Sequence, residues 1–388
     1  MDEVGGVDGK DVVTDCAKEV VKILGIESSC DETAAAVVAD GRKILSSVVA
    51  SQIDIHRKYG GVVPELASRE HLRQIVPVVR EALAQAGLRF EDLDAIGVTQ
   101  GPGLVGSLLV GITYGKTLAT ALGKPLVAVN HLDGHVHATF LEAYQNEKVP
   151  RLPAVCLIVS GGHTVLYEVK EGAGCGEGGA FAYRKLGQTR DDAAGEAYDK
   201  VAKLLGLGYP GGPILDQLAA AAGNAKAPAK FGPTKTRGNA LDFSFSGLKT
   251  AVLYHVRKQP EYIEEIRVRE AAGKRGFAEL LPMCSAETLG LVREFQNAVV
   301  RDLVERTMLA AEECEVQTLL VSGGVSANSQ LRAVFAERAR AKGLEVFFPD
   351  RALSTDNAAM IAAAAYGDFV RGRVANTSLN AKASLPLA

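Results

Sequence analysis

Two histidines four positions apart give the clearest metal-binding signal in the sequence. His131 and His135 belong to the segment His-Leu-Asp-Gly-His, and on a helix this spacing places both imidazoles on one face. The spacing permits a shared cation but does not require one, since many such pairs are chance surface pairs. Asp356, just ahead of the predicted last helix, is a candidate third ligand. Its alternative role is to cap that helix, and the sequence alone favours capping.

The residue after the first histidine argues against a zinc peptidase. Such enzymes carry a Glu at that position to activate the metal-bound water, whereas this chain has Leu132. Asp133 is about 100° further round a helix and has a shorter side chain than Glu. Peptidase activity is therefore not expected.

Three glycine pairs are candidates for binding a phosphate. They are Gly161-Gly162, Gly211-Gly212 and Gly323-Gly324, each beside a predicted strand end or helix start. Backbone amides in such turns can face a phosphate, although each pair alone is more often a simple turn. Together they favour a nucleotide cleft in one α/β lobe. The sequence has no G-x-x-x-x-G-K-[ST] motif, which excludes a P-loop.

Three acidic residues have two open interpretations each. Asp199, on a charged predicted helix, could bind ribose hydroxyls or be an ordinary exposed acid. Asp31 and Glu32 lie in the turn after the first predicted strand, where they could orient metal, water or phosphate. The residues alone do not favour either interpretation of this turn.

Two similar hairpins organise the elements that must position these residues. Strands over residues 21–26 and 34–38 flank the first polar turn, and strands over 154–159 and 165–169 flank Ser160-Gly-Gly-His-Thr164. This repeat predicts two related lobes, an N-terminal one over 21–150 and a C-terminal one over 151–388. The last helix, about 357–371, is expected to return toward the cleft between the lobes.

Helix signals add three further expectations. Pro64 is suited to the first turn of a helix, but Pro77 should bend or break that helix. Small residues recur about one turn apart from Leu104 onward, which indicates close approach either to an internal helix or to a partner. The charged stretch 258–275 is predicted to be a surface helix whose charges are only solvated.

Composition sets the class of protein. With 388 residues, 47% of them hydrophobic and 23% charged, the chain predicts a compact two-domain protein. The net charge of -3 gives no overall attraction to nucleic acid, so binding of RNA would need a local basic patch or a partner. Six scattered cysteines fit reduced thiols. Residues 1–20 are expected to form a flexible acidic tail, and no segment is expected to span a membrane.

Eight motifs follow one another along nearly the whole chain. They are Glu27-Ser-Ser-Cys-Asp-Glu-Thr33, Gly60-Gly-Val-Val-Pro-Glu-Leu-Ala-Ser-Arg69, Gly101-Pro-Gly103, His131-x-x-x-His135, Val159-Ser-Gly-Gly-His-Thr164, Asp191-Asp-Ala-Ala-Gly-Glu-Ala-Tyr-Asp199, Asp242-Phe-Ser-Phe-Ser-Gly-Leu-Lys249 and Gly323-Gly-Val-Ser-Ala-Asn328. In this order they resemble the universal threonylcarbamoyltransferase family, once called sialoglycoprotein endopeptidases. The resemblance implies an α/β fold of the actin-like, sugar-kinase-like ATPase class, with two lobes around a nucleotide cleft.

The resemblance also implies a reaction and a set of site residues. The reaction is transfer of threonylcarbamoyl from threonylcarbamoyl-AMP to N6 of the adenosine 3′ of the anticodon, in tRNAs reading codons that begin with A. His131, His135 and Asp356 would bind one divalent metal, Fe²⁺ ahead of Zn²⁺, which the ligands also accept, and Glu32 would lie near the reacting centre. The residues implied to hold the adenylate are Val159, Ser160, Gly161, Gly162, Asp199, Gly212 and Asn328.

The implied partners are tRNA, a paralogous inactive subunit and an ATPase subunit, in the cytoplasm. The inactive subunit would pair on the small-residue helix after Gly103. Lys235, Arg237 and Lys249 are candidates for contacting tRNA.

Two other classes of protein are alternatives to the transferase. A sugar kinase of the same fold would need a carbohydrate pocket and an aspartate base. A non-catalytic scaffold would lack the His-His-Asp set.

Overall fold

Two five-stranded sheets of the same topology build the protein. The computed structural model describes residues 20–172, 180–232 and 238–388. The first sheet has the strand order β3-β2-β1-β4-β5. Its strands are β1 (Lys22–Glu27), β2 (Glu32–Ala39), β3 (Lys43–Ser51), β4 (Ala95–Gly101) and β5 (Leu126–Asn130).

The second sheet repeats this arrangement with the order β10-β9-β6-β7-β8. In both sheets an antiparallel hairpin pairs with a third strand on one side and with a parallel strand on the other. The predicted duplication is therefore confirmed. The strands are β6 (Ala154–Val159), β7 (Thr164–Glu171), β8 (Phe181–Gln188), β9 (Thr318–Ser322) and β10 (Glu345–Phe347).

Helices cover the faces of these sheets, as buried apolar strands such as β1 and β6 require. On the first sheet, α2 and α3 pack on one face, and α13 packs on the other beside α4. The α-helices are α1 (Ile53–Arg57), α2 (Pro64–Ala86), α3 (Val105–Leu122), α4 (His131–Gln145), α5 (Ala194–Leu204), α6 (Gly211–Ala221), α7 (Ser246–Arg257), α8 (Pro260–Ala272), α9 (Phe277–Leu280), α10 (Ala286–Glu313), α11 (Ser329–Ala341), α12 (Arg351–Ser354) and α13 (Ala358–Val370).

The expected break at Pro77 is wrong, because α2 continues through it to Ala86. An internal proline removes one backbone hydrogen bond and costs about 3 kcal/mol. On either side of it, Ile75, Val78 and Val79 are buried in the core against the first sheet. Burial of these side chains offsets the cost. Tertiary packing therefore stabilises the helix, and local sequence rules do not include that packing.

The charged stretch after α7 is also not merely solvated. It forms α8, as a surface helix was expected, but the Arg269 side chain is fully buried. Its guanidinium donates to the carbonyls of Leu205 and Met283 and pairs with Glu265 at 2.7 Å. A buried guanidinium needs such partners to compensate its desolvation. Arg269 therefore ties α8 to its neighbours.

The small residues of α3 make internal contacts. A Cβ at Gly115 would lie 2.3 Å from Val98 Cγ1, and one at Gly111 would lie 2.4 Å from Ser28 Oγ. Only glycine permits this approach of the helix to the first sheet. Within the described part of the chain, α3 is also long and apolar enough by length and composition to cross a membrane, so the expectation that no segment spans one stays a prediction. Core helices of globular proteins pass the same test.

The segment after α13 runs along the first sheet toward α4. Ala375 forms a bridge with β5, the Lys382 amide donates to the Gln100 carbonyl, and Leu385 accepts from the Asn130 side chain. Two predicted features lie outside the described residues: the acidic tail up to residue 19, and Lys235 with Arg237. The lobe boundary at 150/151 stays a prediction.

Candidate metal centre and nucleotide cleft

The helix that carries both histidines starts directly at the end of β5. Asn130 caps it, since its side-chain oxygen accepts from the Leu132 amide at 2.9 Å. His131 is thus the first residue of α4 and His135 lies one turn later, with ring centroids 4.8 Å apart. Both side chains are buried. The carboxyl end of a strand therefore fixes where the histidines lie.

Asp356 reaches the histidines from the loop between α12 and α13. The cap of α13 is its neighbour Asn357, whose side-chain oxygen accepts from the Met360 amide at 3.0 Å. The capping alternative for Asp356 is therefore wrong. Its carboxylate oxygen Oδ1 lies 3.5 Å from His131 Nε2 and 3.3 Å from His135 Nε2.

The spacing of these three side chains fits a divalent ion. Their ligand atoms all lie within 4.8 Å of one another. Nitrogen and oxygen ligands at 2.0–2.2 Å from one ion lie about 3.0–3.5 Å apart. Both ring nitrogens of His135 are buried without a hydrogen bond among the described residues, since the contact of Nε2 with Asp356 Oδ1 at 3.3 Å is not aligned as one. A buried polar atom without a partner is unfavourable, and an ion bound at Nε2 would satisfy one of them.

A second carboxylate lies behind His131, on the side away from Asp356. Glu27, the last residue of β1, is fully buried and its Oε2 lies 3.0 Å from His131 Nδ1. The same oxygen accepts from Thr99 Oγ1 at 2.7 Å. The other oxygen accepts from the Ser29 amide. His131 is thus flanked by carboxylates at both ring nitrogens.

The charges of these side chains control their protonation. Burial disfavours a charged His131, but Asp356 and Glu27 outweigh it and raise the pKa of His131 to about 9. Burial, together with the charge of His131, lowers the pKa of His135. Although burial opposes ionisation of Asp356, the two histidines hold the pKa of its carboxyl well below the usual range. A proton on His131 thus compensates part of the negative charge of the two carboxylates.

The first hairpin turn brings Glu32 close to this centre. Burial, followed by the charges of Asp31 and Asp356, raises the pKa of Glu32 well above its usual range. The Ser51 hydroxyl donates to Glu32 Oε1 at 3.3 Å. Glu32 therefore lies in an acidic, partly enclosed environment at the N-terminal side of the cleft.

The second hairpin turn presents its backbone to open space. Gly161 and Gly162 are exposed, and a Cβ added at either would meet nothing within 4 Å. Ser160 closes the turn, since its amide donates to the His163 carbonyl at 2.7 Å and its hydroxyl accepts from the His163 amide at 3.1 Å. Val159 is buried beneath it. The two glycines leave room for a ligand beside the chain.

Asp199 and Gly212 lie together on the C-terminal side of the cleft. Asp199 Oδ1 accepts from the Gly211 amide at 2.7 Å, which joins α5 to the start of α6. Burial raises the pKa of Asp199 to about 6, with a smaller contribution from the charge of Asp31 across the cleft. Asp199 is half-buried, so it is not the ordinary exposed acid of the alternative interpretation.

The Asn328 side chain is occupied by structural contacts. Its oxygen accepts from the Leu331 amide at 2.9 Å and caps α11, and its nitrogen donates to Gln296 at 2.9 Å. Any contact of Asn328 with a nucleotide would therefore go through its backbone or require these bonds to change.

No role was predicted for two residues that the structure places at the centre. Glu27 and His163 both belong to the motifs that carried the resemblance, but neither has a ligand spacing that sequence alone could recognise. The His163 ring centroid lies 6.3 Å from that of His131. Burial and the neighbouring histidines lower the pKa of His163 to about 4, so its imidazole is neutral at pH 7.

Solved structures with similar folds support the two-lobed architecture. HypF from T. kodakarensis is 14% identical with a TM-score of 0.52, covering 93% of this chain and 49% of HypF. Full-length HypF in a phosphate- and nucleotide-bound form is 12% identical with the same TM-score, covering 90% and 46%. These likenesses concern the fold alone. The predicted actin-like, sugar-kinase-like fold is confirmed.

Sequence relatives are much closer. A family model described as tRNA N6-adenosine threonylcarbamoyltransferase matches residues 43–363. Proteins with that name from Koribacter versatilis and Anaeromyxobacter sp. are 54% and 53% identical. The alignments cover 94% and 93% of this chain and 98% of each relative. The chain therefore belongs to the tRNA N6-adenosine threonylcarbamoyltransferase family.

Proposed function

We propose that this chain transfers a threonylcarbamoyl group from threonylcarbamoyl-AMP to N6 of the adenosine 3′ of the anticodon, in tRNAs reading codons that begin with A. The N6 amine attacks the carbamoyl carbon, and the carbon–oxygen bond to AMP breaks. AMP leaves with the electron pair of that bond, and the proton that N6 loses passes to solvent water. The observation that carries the proposal is the convergence of His131, His135 and Asp356 beside an open glycine turn.

The proposed cofactor is one divalent ion, Fe²⁺ ahead of Zn²⁺, held by His131, His135 and Asp356. When bound, it supplies Lewis-acid polarisation of a carbamoyl or phosphoryl oxygen. The charge of the three residues supports this: with neutral imidazoles, Asp356 leaves one negative charge facing a divalent cation. Nitrogen and oxygen ligands accept both iron and zinc, so the preference for Fe²⁺ comes from the family resemblance.

The proposed contacts with the adenylate all lie on the C-terminal side of the cleft. Val159, Ser160, Gly161 and Gly162 would hold the adenylate, and the amides of the two glycines would bind its phosphate, for which the open space beside them leaves room. On the same side, Asp199, Gly212 and Asn328 would hold the adenosine part of the adenylate.

Glu32 would lie near the reacting carbamoyl group from the N-terminal side. Its raised pKa means that its carboxyl can hold a proton at a pH where exposed carboxyls are ionised. An aromatic amine is a weak nucleophile, so alignment of the two substrates matters more than a strong base. No residue is assigned as the general base.

Partners are proposed from the surface and from the net charge. Four apolar side chains are exposed on the outer faces of α2 and α3: Leu72, Val76, Val105 and Leu109. This surface is where the paralogous inactive subunit would bind. An ATPase subunit and a cytoplasmic location are proposed from the family resemblance. Because the chain carries a net charge of -3, a partner would help to bind tRNA.

The test supplies threonylcarbamoyl-AMP and unmodified tRNA to the wild type and to His135→Ala and Asp356→Ala. Loss of a metal ligand should lower the rate of product formation at least about 100-fold. Loss of a residue that only hydrogen-bonds to a ligand costs about 10- to 100-fold, so loss of the ligand itself should cost more. Glu312→Gln, remote on α10 with an exposed side chain, is the control and should match the wild type. Equal rates in all four proteins would refute the metal mechanism.

A further inference from the structure

Glu27 is a fully buried carboxylate that the proposed reaction does not use directly. Burial of a carboxylate is unfavourable unless charged or hydrogen-bonding partners compensate it. Three donors surround Glu27: His131 Nδ1, Thr99 Oγ1 and the Ser29 amide. Its position is set by backbone pairing, since β1 pairs in parallel with β4 and places Ile26 opposite Val98. The carboxylate is therefore held rigidly.

We infer that Glu27 is a positioning residue that fixes the ring orientation and the tautomer of His131 for metal binding. The inference rests on the metal site proposed above. A carboxylate oxygen 3.0 Å from Nδ1 accepts a hydrogen bond from that nitrogen, so the proton of a neutral His131 stays on Nδ1. The lone pair of Nε2 is then directed toward Asp356 and His135. A partner of this kind also raises the basicity of the ligating nitrogen.

The two histidines differ in this respect. His131 has a carboxylate behind it, whereas His135 Nδ1 is buried without a hydrogen-bond partner in the ranges that the structure describes. The orientation of His135 is set by its place on α4 and by packing. Removal of Glu27 should therefore affect one ligand of the three and weaken the site without abolishing it.

The backbone that carries Glu27 is itself held by α3. Ser28 Oγ donates to the Ser107 carbonyl at 2.9 Å and accepts from the Gly111 amide at 3.2 Å. The Leu104 amide donates to the Ser29 carbonyl at 2.8 Å. Because the residues on the C-terminal side of Glu27 are anchored in this way, the carboxylate has little freedom to follow His131. The ring must adapt to the carboxylate.

The experiment measures the Zn²⁺ dissociation constant of the full chain by chelator competition, and the visible absorption of its Co²⁺ form. Glu27→Ala should weaken Zn²⁺ binding by about 10- to 100-fold, the range for partners behind a ligand. Glu27→Gln keeps an acceptor for Nδ1 but lacks the charge, so it should restore part of the affinity. Both substitutions should shift the Co²⁺ absorption bands, because the basicity of one ligand changes.

Ser46→Ala is the matched control. It removes another buried side-chain hydrogen bond of the first sheet, from the Val37 amide to Ser46 Oγ, away from the centre. It should bind Zn²⁺ like the wild type, which separates positioning from general loss of stability.

Wild-type affinity and an unchanged Co²⁺ spectrum in a folded Glu27→Ala protein would overturn the inference. If that variant does not fold, Glu27→Leu decides, because its side chain is of similar size and offers no acceptor to Nδ1, and affinity equal to that of the wild type overturns the inference. If His131→Ala binds Zn²⁺ as tightly as the wild type does, that result would instead refute the metal site on which the inference rests.

Discussion

The turns of the two hairpins occupy equivalent places in the two sheets but are built in opposite ways. Residues 27–33 of the first turn are mostly buried, and a side chain from α2 and backbone groups from α3 form hydrogen bonds with them. In the second turn, residues 160–164, the start of α5 binds the two ends, while Gly161 and Gly162 stay exposed. One topology thus supports a packed turn and an open one.

The difference indicates a division of tasks. The packed turn presents side chains, Glu27 and Glu32, whose direction must be fixed relative to the candidate metal site. The open turn presents backbone amides, which need free space rather than support. We expect substitutions in the first turn and its supports to change stability, and substitutions in the second to change ligand binding.

His71→Ala should have the largest effect on stability. His71 on α2 accepts from Thr33 Oγ1 at Nδ1, 2.7 Å away, and donates from Nε2 to the Cys30 carbonyl at 3.0 Å. The substitution leaves both buried partners unpaired and creates a cavity, so the free energy of unfolding should fall by about 3 kcal/mol. Urea denaturation measures this fall. Leu72→Ala, at an exposed neighbouring position, is the control, and equal losses in both variants would contradict the prediction.

Gly103→Ala should have the next largest effect. A Cβ there would lie 2.6 Å from the carbonyl oxygen of Ser29 in the packed turn, and backbone cannot move away cheaply. Overpacking of this kind should lower the free energy of unfolding by about 2 kcal/mol. A variant as stable as the wild type in urea would show that the turn is not rigid.

Asp199 should make ligand binding on the open side depend on pH. Its pKa, raised to about 6 by burial, means that below pH 6 the carboxyl of the free protein is protonated. If the carboxylate binds ribose hydroxyls, binding must release that proton, so affinity should rise with pH through 6 and level off above. Adenosine, measured by calorimetry, should bind about tenfold more weakly at pH 5 than at pH 7.5. Asp199→Asn should bind weakly at both values, and a wild type without pH dependence would refute the role.

Gly161→Ala should have the smallest effect on stability. The added Cβ meets nothing within 4 Å, so the free energy of unfolding, measured by thermal denaturation, should change by less than about 0.5 kcal/mol. Binding of AMP should nevertheless weaken, because the methyl group enters the space proposed for the phosphate. Loss of stability equal to that of Gly103→Ala would remove the distinction between the two turns.

Hairpins, glycine turns and the His131–His135 pair could be predicted from sequence because each depends on neighbours within a few positions. Alternation of apolar and polar residues between turn residues predicts strands, and helical periodicity places the two histidines on one face of a helix. The continuation of α2 through Pro77 and the burial of Arg269 could not be predicted in this way. Both depend on what the helix packs against, and the first competes with a local rule about proline.

The sequence by itself determined that two histidines share a helical face, that a hairpin recurs, and that glycines stand at strand ends. Only the tertiary structure decided that Asp356 faces those histidines while Asn357 caps the helix, and that Glu27, 104 positions before His131, lies behind it. The physical reason is that a side chain's direction depends on the packing of whole elements. For Glu27 and Asp356 those elements are β1, α4 and the loop before α13.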